Sequence, residues 1–166
     1  MTDTTPRMAL PLLVAGQAQK ELFHNEALLR LDIAVQASVL AVGADIPPGS
    51  PAPGEAWVVG SAPTGAWSGQ AGTLAGWTEG GWRFVAPAEG TAVWDRSTGQ
   101  VARWMGGVWR LGTVAATRLM IAGTQVVGAQ QPAVADPTGG TTVDGEARET
   151  LAAILAALRT HGLLAG

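Results

Sequence analysis

Tryptophan supplies nearly all of the aromatic chemistry of this chain, which has seven Trp, two Phe and no Tyr. Six of the seven tryptophans form two trios with steps of 10 and 5 residues, the second trio 27 residues after the first. They are Trp67, Trp77, Trp82, Trp94, Trp104 and Trp109. An indole ring either packs across a β-hairpin or stacks on a sugar ring. We expect packing for most of them. Trp77 and Trp104, beside predicted turns, are expected to be the most exposed, and they are the candidates for stacking on a glycan.

Other side chains that carry chemistry are few and dispersed. His24 and His161 lie at opposite ends of the chain, without the spacing that a metal site needs. There is no cysteine, which excludes thiolate ligands and nucleophiles. The carboxylates are scattered, although a facing pair as in glycosidases stays open. We therefore predict no catalytic residue, no cofactor, no metal and no enzymatic activity.

Composition narrows the class of partner. The net charge is -3 and no basic run exists, so a nucleic-acid surface is not expected. No apolar run reaches the roughly 20 residues of a membrane span, and the N-terminal stretch does not fit a signal peptide. Charged residues make up only 14%. That low fraction indicates either broad oligomer contacts or a genome rich in GC codons.

One long helix is predicted over residues 17–42. Its apolar positions recur at steps of three and four, except where Asn25 is skipped, and Leu28, Leu31 and Val35 widen the stripe. A stripe this wide favours a bundle of helices from several copies, with a solvated helix edge as the alternative. The predicted interface residues are Leu22, Leu29, Ile33, Gln36 and Leu40.

A proline- and glycine-rich stretch follows at 43–54, and we predict that it is a semi-rigid spacer holding the next module off the helix. The Trp-rich block, 55–112, alternates β-type runs with turn signals. The 27-residue register predicts two similar hairpins in which Trp77 faces Trp82 and Trp104 faces Trp109. The predicted strands are 56–60, 72–78, 81–86, 91–95, 100–105 and 108–112.

The last segment, 113–166, is predicted to be a strand-helix module. Short strands are expected at 119–121, 126–127 and 133–136, followed by a helix over about 144–161. Thr141 to Asp144 offer N-cap oxygens and Gly162 suits the C-cap. The helix carries a coiled-coil-like seam, in which the predicted interface residues are Leu151, Ile154 and Leu158.

The stretch Leu10–Glu21 (LPLLVAGQAQKE), followed by HNEAL at 24–28, resembles the opening of a DUF2793-type family of phages and prophages of alphaproteobacteria. The segment 65–77 resembles the Gly/Trp-rich block of that family, and 123–163 resembles a C-terminal module of phage fibre proteins. A looser likeness links the Trp block to small chitin-binding-like modules. The resemblance implies an appendage component of a phage or gene transfer agent, with no catalytic residue to carry over.

These observations together predict an α+β protein with segments 1–42, 43–54, 55–112 and 113–166. We expect a virion protein of a head spike or tail fibre, assembled in the host cytoplasm, that acts as an attachment base or adaptor. The expected partners are its own copies (a trimer, with a pentamer as alternative), capsid or tail proteins, and a further spike or fibre protein. The alternative is a carbohydrate-binding module that contacts host polysaccharide directly.

Overall fold

A computed structural model describes residues 4–13, 20–140 and 144–165 of the chain, and its fold is mixed α+β as predicted. The chain divides into two compact units, Met1–Thr113 and Val114–Gly166. The elements are α1 (Lys20–Ala34), β1 (Ser38–Val39), β2 (Val42–Ala44), β3 (Ala56–Val59), β4 (Leu74–Thr78), β5 (Gly81–Val85), β6 (Ala92–Asp95), β7 (Gln100–Met105), β8 (Val108–Leu111), β9 (Leu119–Ile121), β10 (Thr124–Val127) and α2 (Gly145–Thr160).

The first unit contains two four-stranded sheets. The first sheet has the order β2-β3-β4-β5 and the second has the order β1-β6-β7-β8. In each sheet three consecutive strands form an antiparallel meander, and a short upstream strand adds in parallel at the edge. Helix α1 packs on β4 and β5. All six strands predicted in the Trp block are present, with ends that differ by at most two residues from the prediction.

The internal repeat is confirmed at its two hairpins. Trp77 lies across from Trp82 between β4 and β5, and Trp104 lies across from Trp109 between β7 and β8. In an antiparallel hairpin the length of the turn fixes which residues lie opposite one another. Residues with the same spacing therefore form the same cross-strand pairs in both hairpins.

The repeat does not extend to the first tryptophan of each trio. Trp67 lies in a short 3-10 turn at Gly65–Trp67 and is fully buried, whereas Trp94 lies on β6 and is 47% exposed. The connection between β3 and β4 is much longer than the one between β6 and β7, which places the two residues in different structures. Their matching sequence positions are therefore not structurally equivalent.

The predicted helix over 17–42 is too long. Residues 17–19 lie outside the described residues, and α1 ends at Ala34. Gln36 then adopts a left-handed backbone with φ of 45°, which turns the chain out of the helix. The apolar residues that follow form β1 and β2 instead. Pairing with strands far along the chain overrides the helical pattern, since Trp94 N donates to Ala37 O at 2.8 Å.

The predicted spacer function of residues 43–54 is wrong. The segment begins within β2 and then runs along the first sheet, where Gly54 N donates to Trp77 O at 2.9 Å. Helix α1 packs directly on that sheet, since a Cβ atom added at Gly76 would lie 2.5 Å from Ile33 Cδ1. The absent side chain at residue 76 allows this close approach. Segments 1–42, 43–54 and 55–112 consequently belong to one compact unit.

Asp32 ties the described N-terminal segment to α1. Its buried carboxylate accepts hydrogen bonds from Thr5 Oγ1 at 2.8 Å, Arg7 N at 2.9 Å and Met8 N at 2.6 Å. The Arg7 guanidinium donates to the carbonyls of Asp32 and Ile33, and to Gln36 O at 2.9 Å. Those carbonyls belong to the end of the helix and just beyond it, where intrahelical partners run out.

The second unit is a hairpin followed by a helix. β9 and β10 pair antiparallel, and Gln131 forms a parallel bridge with Leu164. Helix α2 begins as predicted, because the Asp144 carboxylate accepts from Ala147 N at 2.9 Å, and Gly162 follows its end with φ of 72°. Thr141 to Val143 lie outside the described residues, and the strand predicted at 133–136 is absent from the described segment.

Candidate interaction surfaces

The four indoles of the first sheet form one cluster. Trp82 lies at its centre, with ring centroids 5.6 Å from Trp57, 5.2 Å from Trp67 and 5.0 Å from Trp77, all in edge-to-face geometry. Such contacts each stabilise by roughly 0.5–1.5 kcal/mol beyond the area that they bury. Trp77 is half-buried at the border of this cluster, so packing already occupies one edge of the ring.

Trp104 and Trp109 connect the second repeat to the first. Their ring centroids are 5.6 Å apart, and Trp109 Nε1 donates to Gly72 O at 2.8 Å. Gly72 has φ of 75°, and a Cβ atom there would lie 3.1 Å from Trp104 Cη2. The indole of Trp104 thus covers the loop before β4. It also lines an open cleft of about 410 Å³ together with Trp109, Val58 and Gly107.

The two predicted stacking residues therefore differ in their surroundings. Trp104 lines a cleft that a sugar ring could enter, and Trp77 lines neither of the two cavities described for the chain. Neither is the most accessible tryptophan, contrary to the expectation from their positions beside turns. That residue is Trp94, on the outer face of β6.

The predicted α1 interface residues lie in several environments. Leu22 is 66% exposed, Leu29 lines a cavity, and Ile33 belongs to the core of its own chain. Gln36 and Leu40 follow the end of the helix, Gln36 at the surface and Leu40 packed on the tryptophan cluster. The predicted seam is therefore not one face of a helix.

A different apolar stripe of α1 is exposed to solvent. Its first residue, Phe23, was not among the predicted interface residues. Phe23 is 84% exposed and Leu31 is 49% exposed, with Val35 just past the end of the helix 40% exposed. These residues and Ala27 recur at steps of four, a signal that was readable in the sequence. Exposed apolar stripes of this kind mark contact sites.

The second unit exposes the predicted α2 seam. Leu151 and Ile154 are each 50% exposed and Leu158 is half-buried. Throughout the described residues of this unit no side chain is buried, and the hairpin exposes both of its faces. A helix of 16 residues and a two-stranded hairpin are each marginal alone in water.

A cavity of about 760 Å³ lies between the N-terminal segment, α1 and the turn of β4 and β5. Glu26 and Arg83 line it and form an ion pair with Nε to Oε2 at 2.7 Å. Burial alone would raise the pKa of Glu26, but hydrogen bonds and charge from Arg83 and Arg30 outweigh burial and lower that pKa below its ordinary value. The pair holds the helix against β5.

The described residues contain no cluster of three or more His, Cys, Asp or Glu side chains placed to hold a metal ion. None of the helices in the described ranges is long and apolar enough to cross a membrane. Among known families, the one described as "Protein of unknown function (DUF2793)" matches residues 24–110, which is more than half of the chain. No curated protein matches the sequence. The matched range runs from α1 to β8 and includes both tryptophan hairpins.

Proposed function

The chain belongs to the DUF2793 family, and from that premise we propose that it is a structural component of a phage or gene-transfer-agent particle. In this role it forms a head-spike or tail-fibre base that joins the particle to a further protein for host attachment. The sequence resemblance at 10–28 and 123–163 supports this assignment. The proposed role is non-catalytic, and the proposed location is the virion.

The observation that carries the proposal is the second unit, in which no described side chain is buried. Its exposed apolar residues would be costly to leave in water, because each fully buried Leu or Ile stabilises by about 1.5–3 kcal/mol. Assembly of copies covers such residues, and virion appendages are built from copies arranged by symmetry. Exposed Phe23 and Leu31 on α1 offer a second contact stripe. A trimer is the proposed state, with a pentamer as the alternative.

Light scattering on the purified protein tests the assembly step. We expect an oligomer, and we expect Leu151→Ser with Ile154→Ser to shift it toward monomer, because polar residues remove the apolar contact at the seam. The matched control is Glu146→Ser with Glu149→Ser, which changes exposed polar residues of the same helix. A wild-type protein that is monomeric at micromolar concentration would refute the assembly.

The particle assignment has its own test. An antibody against the protein should label intact particles purified from the source organism, at one kind of site on the particle. Particles from a deletion strain should lack that label and attach to host cells less efficiently. Intact particles of the wild-type strain that have a DNA-filled capsid but none of this protein would contradict the assignment.

The Trp104 cleft favours one second candidate, a carbohydrate-binding module. In that case host capsular polysaccharide should quench tryptophan fluorescence saturably, and Trp104→Ala should abolish the quenching while far-UV circular dichroism stays unchanged. If Trp104 serves packing alone, the variant melts early without a glycan effect to lose, since truncating a buried Trp costs about 3–5 kcal/mol. Trp77→Ala is the control, because Trp77 does not line the cleft.

A further inference from the structure

One sheet face is buried in the first repeat, and the corresponding face is exposed in the second. Residue pair Gly76 and Arg83 in the first sheet corresponds by the 27-residue register to the pair Arg103 and Arg110 in the second. Side chains alternate between the faces of a strand, so each pair marks one face of its sheet. In the first sheet this face is buried, with Leu74 at 1% and Thr78 at 3% exposure.

Helix α1 covers the part of that face around Gly76 and Arg83 in the first repeat. Leu74 also belongs to one core cluster with Val93 and Ala102 of the second sheet. Ile33 packs on Gly76, and Glu26 pairs with Arg83 at 2.7 Å. The covering element is therefore a helix that presents an apolar side chain to the middle of the sheet and a carboxylate to its arginine.

The corresponding face of the second repeat, which we call the open face, is not covered by any described element of the first unit. Trp94 is 47%, Val101 is 41% and Val108 is 49% exposed. The residues of β6, β7 and β8 on this face are Ala92, Trp94, Val101, Arg103, Met105, Val108 and Arg110. Trp, Met and Arg are the types enriched where protein interfaces gain most of their binding energy.

The charges of the open face lack compensation. Arg103 and Arg110 are directly opposite one another, an arrangement of like charges that destabilises a sheet. Arg103 Nη1 makes one long hydrogen bond, to Gly90 O at 3.4 Å. The Arg110 guanidinium has no hydrogen bond or ion pair within the described part of the first unit. Its counterpart Arg83 is the one that Glu26 neutralises.

We propose that the open face binds an acidic amphipathic helix of a different protein, which supplies carboxylates to Arg103 and Arg110 and apolar side chains to Trp94 and Val101. Two copies of this chain do not dock through the open face symmetrically, because a two-fold contact would bring four guanidinium groups together. The inference rests on the proposed function in one respect, since an adaptor has to bind a second protein. It adds where on the chain that protein binds and what chemistry it presents.

The test uses the full-length ¹⁵N-labelled protein and a hydrocarbon-stapled peptide with the α1 sequence of residues 20–34, changed by Arg30→Glu. The peptide then carries glutamates at 26 and 30 beside Leu29 and Ile33. A matched peptide carries lysine in place of glutamate at positions 26 and 30. We expect saturable NMR shifts at the Trp94 indole N–H and at the Arg110 amide with the acidic peptide only.

Protein variants locate the contact. Arg110→Glu should weaken peptide binding by about tenfold or more, as expected when a paired charge is reversed. Arg118→Glu makes the same change in charge outside the open face and should leave binding unchanged. Thermal melting verifies that each variant is folded, and Arg103→Glu provides a second variant on the same face.

Several results would overturn the proposal: equal binding of the lysine peptide, unchanged binding by Arg110→Glu, or shifts at Gly76 in place of Arg110. Dissociation of an oligomer by Arg110→Glu would assign the open face to a second copy and overturn it as well. Equal shifts with polygalacturonate would assign the face to an acidic polysaccharide, with the same consequence. Apart from dissociation of the oligomer, none of these results tests the contact through the α2 seam. The proposed assembly is therefore tested independently of the open face.

Discussion

At the scale of single residues, the Asp95 carboxylate stabilises a turn through residues that follow it closely in the chain. Asp95 is 1% exposed and accepts hydrogen bonds from Ser97 N at 2.9 Å, Ser97 Oγ at 2.7 Å and Thr98 Oγ1 at 3.0 Å. Burial alone would raise the pKa of Asp95, but these hydrogen bonds outweigh burial and lower that pKa below its ordinary value. Asp95 therefore holds the turn between β6 and β7.

A carboxyl group with a lowered pKa in the folded state makes folding depend on pH. The unfolded chain takes up protons first as the pH falls, so the stabilisation is complete above the ordinary pKa of an Asp and is lost as the pH falls through the folded value. We expect Asp95→Asn to lower the free energy of unfolding at pH 7 by about 1–2 kcal/mol. We also expect its stability to decline less steeply than that of wild type between neutral and acidic pH.

Urea unfolding followed by tryptophan fluorescence across that pH range measures both quantities. Glu149→Gln, a change at an exposed carboxylate of α2, is the control. An Asp95→Asn variant that keeps the full acid dependence of the wild type would show that the turn contributes none of it.

At the scale of elements, the contact between α1 and the first sheet depends on one glycine. Gly76→Ala would place a methyl group 2.5 Å from both Ile33 Cδ1 and Cγ1, and Ile33 is 4% exposed and cannot swing away into solvent. We expect this change to cost about 1–3 kcal/mol of stability, as overpacking does.

A double-mutant cycle tests that explanation. Ile33→Ala alone should cost about 2–5 kcal/mol through the cavity it leaves. Together with Gly76→Ala the loss should be smaller than the sum of the two, because the added methyl group enters the space that Ile33 vacates. Additive losses would show that the cost of Gly76→Ala does not come from contact with Ile33. Gly80→Ala, at the exposed turn, is the control.

At the scale of the whole molecule, the sequence predicted elements whose partners lie close along the chain. The hairpins of Trp77 with Trp82 and of Trp104 with Trp109 follow from alternation and short turns, and α2 follows from Asp144 and Gly162 at its ends. The structure confirms all three elements.

Contacts between distant segments were not predictable in the same way. The residues after Ala34 continue an apolar pattern that fits a helix, but they pair with strands that begin at Ala56 and Ala92. The Asp32 carboxylate meets the backbone of residues 7–8, which no local pattern signals. In the sequence, an apolar seam that includes Ile33 fits a contact with other copies as well as a contact with the chain's own sheet. Gly76, which allows Ile33 to pack on that sheet, lies more than 40 residues away in the sequence.

The short stretch from Ser38 to Ala44 has a consequence for the solubility of this protein. Through β1 and β2 it closes one outer edge of each sheet, so a single segment hides the unpaired backbone groups of β3 and of β6. An exposed strand edge is a template for pairing with another chain. A start site downstream of residue 44 would remove β1 and β2 together with α1, and would uncover two such edges at once as well as the face of the first sheet that α1 covers. We expect the resulting fragment to self-associate through the edges of β3 and β6.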